Sequence, residues 1–177
     1  MDDRLGLAFR AALARFATGV TVLTTRTPDG LPIGVTISSF NAVSLDPPLI
    51  LWSLSLESPK LRLFRQASHY AVNVLSADQQ SLSECFSAPE KNRFTGLEAH
   101  DGLGGVPLLA SCSAWFECMP EAEYPGGDHL IFLGRVKRFS QGKAREPLIF
   151  HAGGYRKLGD ESSASLANRK PLFADEK

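Results

Sequence analysis

An antiparallel β-barrel with flanking helices, mainly β with some α, is the fold class this sequence predicts, and three observations carry it. The chain holds about six or seven strand-like runs, most of them joined in pairs by tight Gly, Pro or Asp turns. Helical patterns are few, about three, and stand between strand pairs instead of inside them. Parallel neighbours need a crossover helix between consecutive strands, and this order lacks them. At 177 residues the chain is expected to form a single domain over 1–158, with a polar tail or arm over 159–177.

Leu5, Ala8, Phe9, Ala12, Leu13 and Phe16 recur at three-and-four spacing, which predicts an amphipathic helix of about four turns ended by Gly19. Val20–Thr25 reads as a strand, Pro28-Asp29-Gly30 turns the chain, and Ile33, Val35 and Ile37 form the second strand of a hairpin. That strand opens into Thr36, Ser38 and Ser39. Asp46-Pro47-Pro48 closes the stretch, because a proline pair cannot donate to a ladder. Leu49–Leu54 is a nearly unbroken apolar run and predicts a strand buried on both faces. Ser58-Pro59 has the chemistry of a helix start, with Leu61, Leu63 and Phe64 as the apolar side behind it.

Tyr70–Leu75 is a further strand, and Asp78 is placed to cap a helix running to about Phe86. Pro89–Ala110, rich in Gly and Pro, reads as loop with about one helical turn. Ala114–Tyr124 and His129–Phe139 are two long strands joined through Pro125-Gly126-Gly127-Asp128, and Leu148–Phe150 is a last short one.

Nineteen Lys and Arg balance nineteen Asp and Glu, so bulk charge predicts neither a nucleic-acid nor a membrane partner. The missing self-repulsion permits association. No run approaches the roughly 18 apolar residues that span a bilayer, and the start Met1-Asp2-Asp3-Arg4 leads into a helix, not a signal-peptide core. Cys85, Cys112 and Cys118 are odd in number and lack Cys-x-x-Cys spacing, which fits buried thiols in a reducing compartment. The cytoplasm is expected.

His69, His100, His129 and His151 show no metal-ligand spacing, so no metal site is expected. The chain has no Gly-x-Ser-x-Gly elbow and no Gly-x-x-x-x-Gly-Lys loop, and Gly102-Leu103-Gly104-Gly105 precedes Val106-Pro107 and reads as a turn. An enzyme of this kind needs a cofactor to carry its reaction. What the chain does offer is an anion site: hydroxyls at Thr36, Ser38 and Ser39, Ser58 at a helix start, and Lys91 and Arg93 in a loop. Neutral donors with an Arg fork suit a phosphate monoester. The alternative is structural, a serine-rich strand end bonding its own backbone. Gly126-Gly127-Asp128-His129 sets an acid and an imidazole at a hairpin tip, and taken alone it reads as a turn with a half-exposed histidine.

Thr18-Gly19-Val20-Thr21-Val22, Gly34-Val35-Thr36-Ile37-Ser38-Ser39-Phe40, Val43-Ser44-Leu45-Asp46-Pro47-Pro48-Leu49, Asn92-Arg93-Phe94 and Gly127-Asp128-His129 occur in one order. Together, from about Phe9 to Leu158, they resemble the short-chain flavin reductase family, whose members supply reduced flavin to two-component monooxygenases. The resemblance implies an FMN-binding, Greek-key split β-barrel, usually a homodimer. It implies hydride transfer from NADH or NADPH to FMN, or to FAD, from nicotinamide C4 to flavin N5, for use by an oxygenase partner.

By similarity, Thr36, Ile37, Ser38 and Ser39 line the flavin, and Ser53, Leu54 and Ser55 run beside its ring or ribityl chain. Ser58, Lys91 and Arg93 fall on the phosphate side, with Phe94 packing nearby. Gly127, Asp128, His129 and Tyr155 belong to the nicotinamide side, where His129 is the residue expected to position the ring for transfer. The chain departs from the family pattern at Ala42, Trp52, Asn92, Ala152 and Gly154, which bears on flavin and nucleotide preference. Three other functions fit the same residues: a split-barrel flavoprotein holding FMN as a fixed cofactor or sensor, a non-flavin interaction domain with purely structural hydroxyls, and a fixed-flavin oxidase with another substrate.

Overall fold

The computed structural model describes residues 3–88, 94–143 and 146–158. Twelve strands and three α-helices are present among them. In chain order they are α1 (Asp3–Leu13), β1 (Thr18–Gly19), β2 (Thr21–Arg26), β3 (Pro32–Ile37), β4 (Asn41–Leu45), β5 (Pro48–Ser55), α2 (Leu61–Gln66) and β6 (Tyr70–Val74). Then follow α3 (Gln80–Ser87), β7 (Ala99–Asp101), β8 (Pro107–Leu109), β9 (Ala114–Gly126), β10 (His129–Gln141), β11 (Ile149–His151) and β12 (Gly154–Arg156).

Seven strands form one sheet in the order β3-β2-β6-β9-β10-β5-β4, and every pairing in it is antiparallel. The sheet curls until β3, at one edge, contacts β5 near the other. No ladder joins those two strands among the described residues, so the barrel is split along that line. Side chains bridge the split. Just past β3, the Ser39 hydroxyl donates to the Ser53 carbonyl at 2.9 Å and accepts the Ser53 N–H at 3.0 Å. Further back along β3, the Lys60 ammonium donates to the Gly34 carbonyl at 2.5 Å.

Period-two alternation fills the interior. Ile50, Trp52 and Leu54 point inward from β5 and are buried, while Ser53 and Ser55 lie on the outer face, partly exposed. The expected strand buried on both faces is therefore covered on one, because a curled antiparallel sheet leaves its outer face to other elements or to water. Trp52 stacks on Phe132 with centroids 4.1 Å apart and meets Phe64 and Tyr70 edge-on. A second core lies outside the sheet, where Val22, Leu75, Phe86, Leu109, Cys112 and Leu148 pack together. This core holds α3 and the C-terminal strands against β2 and β6.

Several boundaries differ from the sequence expectation. Helix α1 stops at Leu13, and Thr18–Gly19 pairs with Ile149–Phe150 as a short strand instead of ending a helix. The β4 strand was not expected; it turns back through Asp46 and Pro47, with Pro48 taken up as the first residue of β5. That position tolerates proline because a first residue owes the ladder no donor. Asp78 does not cap α3: its carboxylate accepts the Ser76 hydroxyl at 2.5 Å, and Gln79 occupies the cap position. The expected loop before Ala110 contains the β7–β8 ladder. No described helix is long and apolar enough to cross a membrane. The 159–177 tail lies outside the described residues.

Candidate functional site

Thr36 stands on the face of β3 turned toward α3, one residue away from the inward-facing Val35 and Ile37. Its hydroxyl donates to the Ser83 carbonyl at 2.7 Å. Two residues back along the same face, Gly34 leaves room for Phe86; a Cβ there would lie 2.7 Å from the phenyl ring. The missing side chain lets α3 sit directly on β3. Tyr155 reaches the same place from β12, its ring edge-on to Phe150 across the β11–β12 pairing, with its hydroxyl 2.9 Å from Ser83 Oγ.

These elements enclose a cavity of about 190 Å³. Val20, Ile37 and Phe150 give it an apolar wall, and Thr36, Ser38, Ser83, Ser87 and Tyr155 give it hydroxyls. An apolar face with polar groups beside it suits a planar heteroaromatic ring, which is apolar above and below and polar at its edge. Phe94 packs beyond it, against Phe86 at 5.1 Å.

Ser39 leads from this cavity to a second group of residues. Through Ser53 it reaches the outer face of β5, and two residues further along that face Ser55 is paired with His129 of β10. The Leu56 N–H donates to the Asp128 carbonyl at 2.9 Å, fixing the hairpin tip to the end of β5. Gly127 opens that tip with φ 72°, a conformation L side chains rarely adopt. The Asp128 carboxylate lies 2.7 Å from His129 Nδ1. That contact assigns the Nδ1 proton to the bond with Asp128 and leaves Nε2 as the ring's second hydrogen-bonding atom. The His129 hydrogen bond holds the Asp128 carboxyl below its ordinary value, helped by the charges of His129 and Arg10.

The predicted site residues thus separate into clear positions. Thr36, Ile37, Ser38 and Tyr155 line one cavity. Ser53, Ser55, Gly127, Asp128 and His129 form an adjoining edge. Tyr155 and His129, both expected on the nicotinamide side, belong to different ends of this line. The Leu54 side chain is in the core, which leaves only its backbone for a ligand. The Ser58 hydroxyl accepts the Lys60 N–H at 3.3 Å and sits in the turn before α2. Lys91 and Arg93 lie outside the described residues.

Four residues of the site were not foreseen. Ser83 and Ser87 are polar residues on a short helix, unremarked in the sequence because their neighbour is Tyr155, far along the chain. Ser83 shares the buried face of α3 with Phe86, three residues on, and that spacing was the available signal. Val20 and Phe150 complete the apolar wall.

The profile of the Flavin reductase like domain family matches residues 13–159. The chain is 44% identical over 148 residues to an NADH-dependent FMN reductase, SmoA, of Agrobacterium fabrum, covering 84% of this chain and 83% of that protein. It is 41% identical over 165 residues to the reductase component of a flavin-dependent trigonelline monooxygenase of Acinetobacter baylyi, covering 93% of this chain and 53% of that longer protein. Among solved structures, the NADH:FAD oxidoreductase SgcE6 of Streptomyces globisporus, in complex with NAD and FAD fragments, superposes with a TM-score of 0.85 at 32% identity, covering 92% of this chain and 98% of that one. By sequence and fold, the chain belongs to the Flavin reductase like domain family.

Proposed function

We propose that the chain is an NAD(P)H:flavin oxidoreductase that passes hydride from a reduced nicotinamide to FMN, with FAD as the other candidate flavin, and supplies reduced flavin to a partner monooxygenase. The observation that carries this reading is the hydroxyl-rimmed cavity at Thr36–Ser38, next to which Ser39 bonds Ser53 on the strand whose Ser55 pairs with His129. Relatives named as FMN reductases and monooxygenase reductase components support it.

The flavin, when bound, supplies the hydride acceptor. The chain itself binds, orients and excludes water. With a flavin bound, Val20, Ile37 and Phe150 would lie against the ring, and Ser38 would offer it a hydroxyl. Ser53 and Ser55 lie where a chain leaving the ring would run toward Ser58, Lys91 and Arg93, the expected phosphate side. His129, held by Asp128, positions the nicotinamide and takes no proton from it. Holding two rings in reacting geometry is the catalytic contribution asked of such a site.

The chain works as a homodimer, a reading supported by the exposed apolar residues of α1. Its compartment is the cytoplasm, in keeping with Cys112 and Cys118 as buried free thiols.

The test is nicotinamide oxidation with and without added FMN, FAD and riboflavin. Oxidation that rises with free FMN is expected. A protein that carries tightly bound FMN, and whose oxidation ignores added flavin, would be the fixed-cofactor flavoprotein instead. Absence of flavin binding of any kind would leave the hydroxyls purely structural.

A further inference from the structure

Ser83 stands at the centre of the cavity's hydrogen bonding although its own side chain is fully buried. Its carbonyl accepts from two hydroxyls, Thr36 at 2.7 Å and Ser87 at 2.8 Å. Both protons are thereby committed, so neither residue can donate to a ligand; each keeps an oxygen that can accept. The Ser83 hydroxyl has one hydrogen-bond partner among the described residues, the Tyr155 hydroxyl at 2.9 Å.

Two hydroxyls share that bond, and burial decides which one gives its proton. A buried donor without an acceptor is costly, and among the described residues Ser83 has no acceptor other than the Tyr155 oxygen. Tyr155 is partly exposed and lines the cavity, so its proton has somewhere else to go. Ser83 therefore donates and Tyr155 accepts. The phenolic hydrogen lies in the ring plane and has two positions there; with one side taken by the incoming Ser83 proton, it turns to the other. Edge-on packing against Phe150 holds the ring itself in place.

We infer that Ser83 is a positioning residue that fixes the Tyr155 O–H as a donor into the cavity, for an acceptor atom on the edge of the bound flavin ring. The rim then offers donors at Tyr155 and Ser38 and acceptors at Thr36 and Ser87. A ring edge carrying both carbonyl oxygens and an N–H, as a flavin does, answers that pattern. This inference rests on the flavin-reductase reading of the site and assigns Tyr155 to the flavin, not to the nicotinamide.

Lumiflavin, which has the ring system without ribityl phosphate, tests it by fluorescence titration in the absence of pyridine nucleotide. Tyr155→Phe is expected to weaken lumiflavin and FMN binding by a similar factor, about 5–10-fold for one hydrogen bond. Ser83→Ala weakens both by less in the wild-type background, and by nothing further once Tyr155 is Phe. Tyr155→Phe also strands the buried Ser83 donor, so its thermal midpoint falls and recovers in the Ser83→Ala, Tyr155→Phe double variant. Unchanged lumiflavin affinity in a folded Tyr155→Phe protein overturns the inference, most directly if only the nicotinamide KM rises. Losses that multiply independently in the double variant overturn the role of Ser83. A wild-type chain that binds neither FMN nor lumiflavin sinks the functional reading as well, and so is distinguishable from either result.

Discussion

Two residues at the hairpin tip show how little structure is needed to hold a side chain when its partner is adjacent. Asp128 is almost fully exposed, yet it sits 2.7 Å from His129 Nδ1 and selects the tautomer. Its carboxyl is held below the ordinary value, first by that hydrogen bond. A carboxyl lowered in the folded state contributes above its unfolded pKa, and the contribution is lost as pH falls through the lowered value. The Asp128 carboxylate is therefore charged throughout the range above the ordinary carboxylate value, and its contribution is lost only in acid. His129→Ala is expected to fold normally and keep its FMN affinity, while flavin reduction by NADH slows about 10–100-fold in stopped flow. Asp128→Asn should lie between it and wild type, because the ring remains but its tautomer is no longer held. A well-folded His129→Ala protein with an unchanged reduction rate would make the histidine a surface turn residue. Ser38 and Ser39 divide their tasks in the same way. Ser39 accepts and donates across the barrel's split, so Ser39→Ala is expected to cost about 1–3 kcal/mol in urea unfolding. Ser38, at the cavity, should lose flavin affinity on substitution with stability within about 0.5 kcal/mol of wild type.

At the scale of elements, the sequence was most readable where pattern and turn chemistry agreed. The β9–β10 hairpin is an example, since two long alternating runs flank consecutive glycines. Pro120 stands inside a central strand, a position proline should avoid, and a bulge accommodates it. Leu133 pairs with Ala122 and Gly134 with Pro120, which leaves Glu121 extra, clasping Arg135 through two hydrogen bonds. What could not be read was anything fixed by contacts between distant segments. Strand β4 is short and exposed, with Val43 and Leu45 facing outward, so it carries no burial pattern to detect. Strand β12 is three residues long and exists through its pairing with β11. The Ser83–Tyr155 bond joins residues 72 apart, and no local rule reports it.

Gly134 belongs to the same class. A Cβ there would fall 1.7 Å from the Tyr70 hydroxyl, which is buried with no hydrogen-bond partner among the described residues. Trp52 packs against that ring at 5.5 Å and blocks its retreat. Gly134→Ala is expected to lose about 1–3 kcal/mol or more through overpacking, read as a lower thermal midpoint. Tyr70→Phe removes the clashing oxygen and an orphaned buried hydroxyl, so it should be neutral or stabilising alone and should partly restore Gly134→Ala. A double variant no better than Gly134→Ala would mean that the clash lies elsewhere.

At the scale of the whole molecule, α1 is the element the single chain does not explain. Leu5, Phe9, Leu13 and Phe16 form the apolar stripe expected from their spacing, but all four are more than half exposed. Gly6 and, one residue past the helix, Ala14 are instead the partly covered positions. Just past the helix, the Ala14 carbonyl accepts the Ala152 N–H. The apolar side of α1 faces out. An apolar face of this kind marks a contact surface, and burying a Leu or Phe side chain yields about 1.5–3 kcal/mol each. A second copy of the chain is the occupant proposed, consistent with a net charge of zero that sets up no repulsion between identical molecules. Sedimentation at micromolar concentration is expected to give a dimeric mass for the wild type. Phe9→Glu with Leu13→Glu should give a folded monomer with a lower thermal midpoint. The Ala14 carbonyl ties the end of α1 to the turn between β11 and β12, the strand that carries Tyr155, so dissociation should also lower flavin reductase activity. A wild-type monomer with full reductase activity would remove the dimer from the mechanism and leave the stripe of α1 for the oxygenase partner to cover.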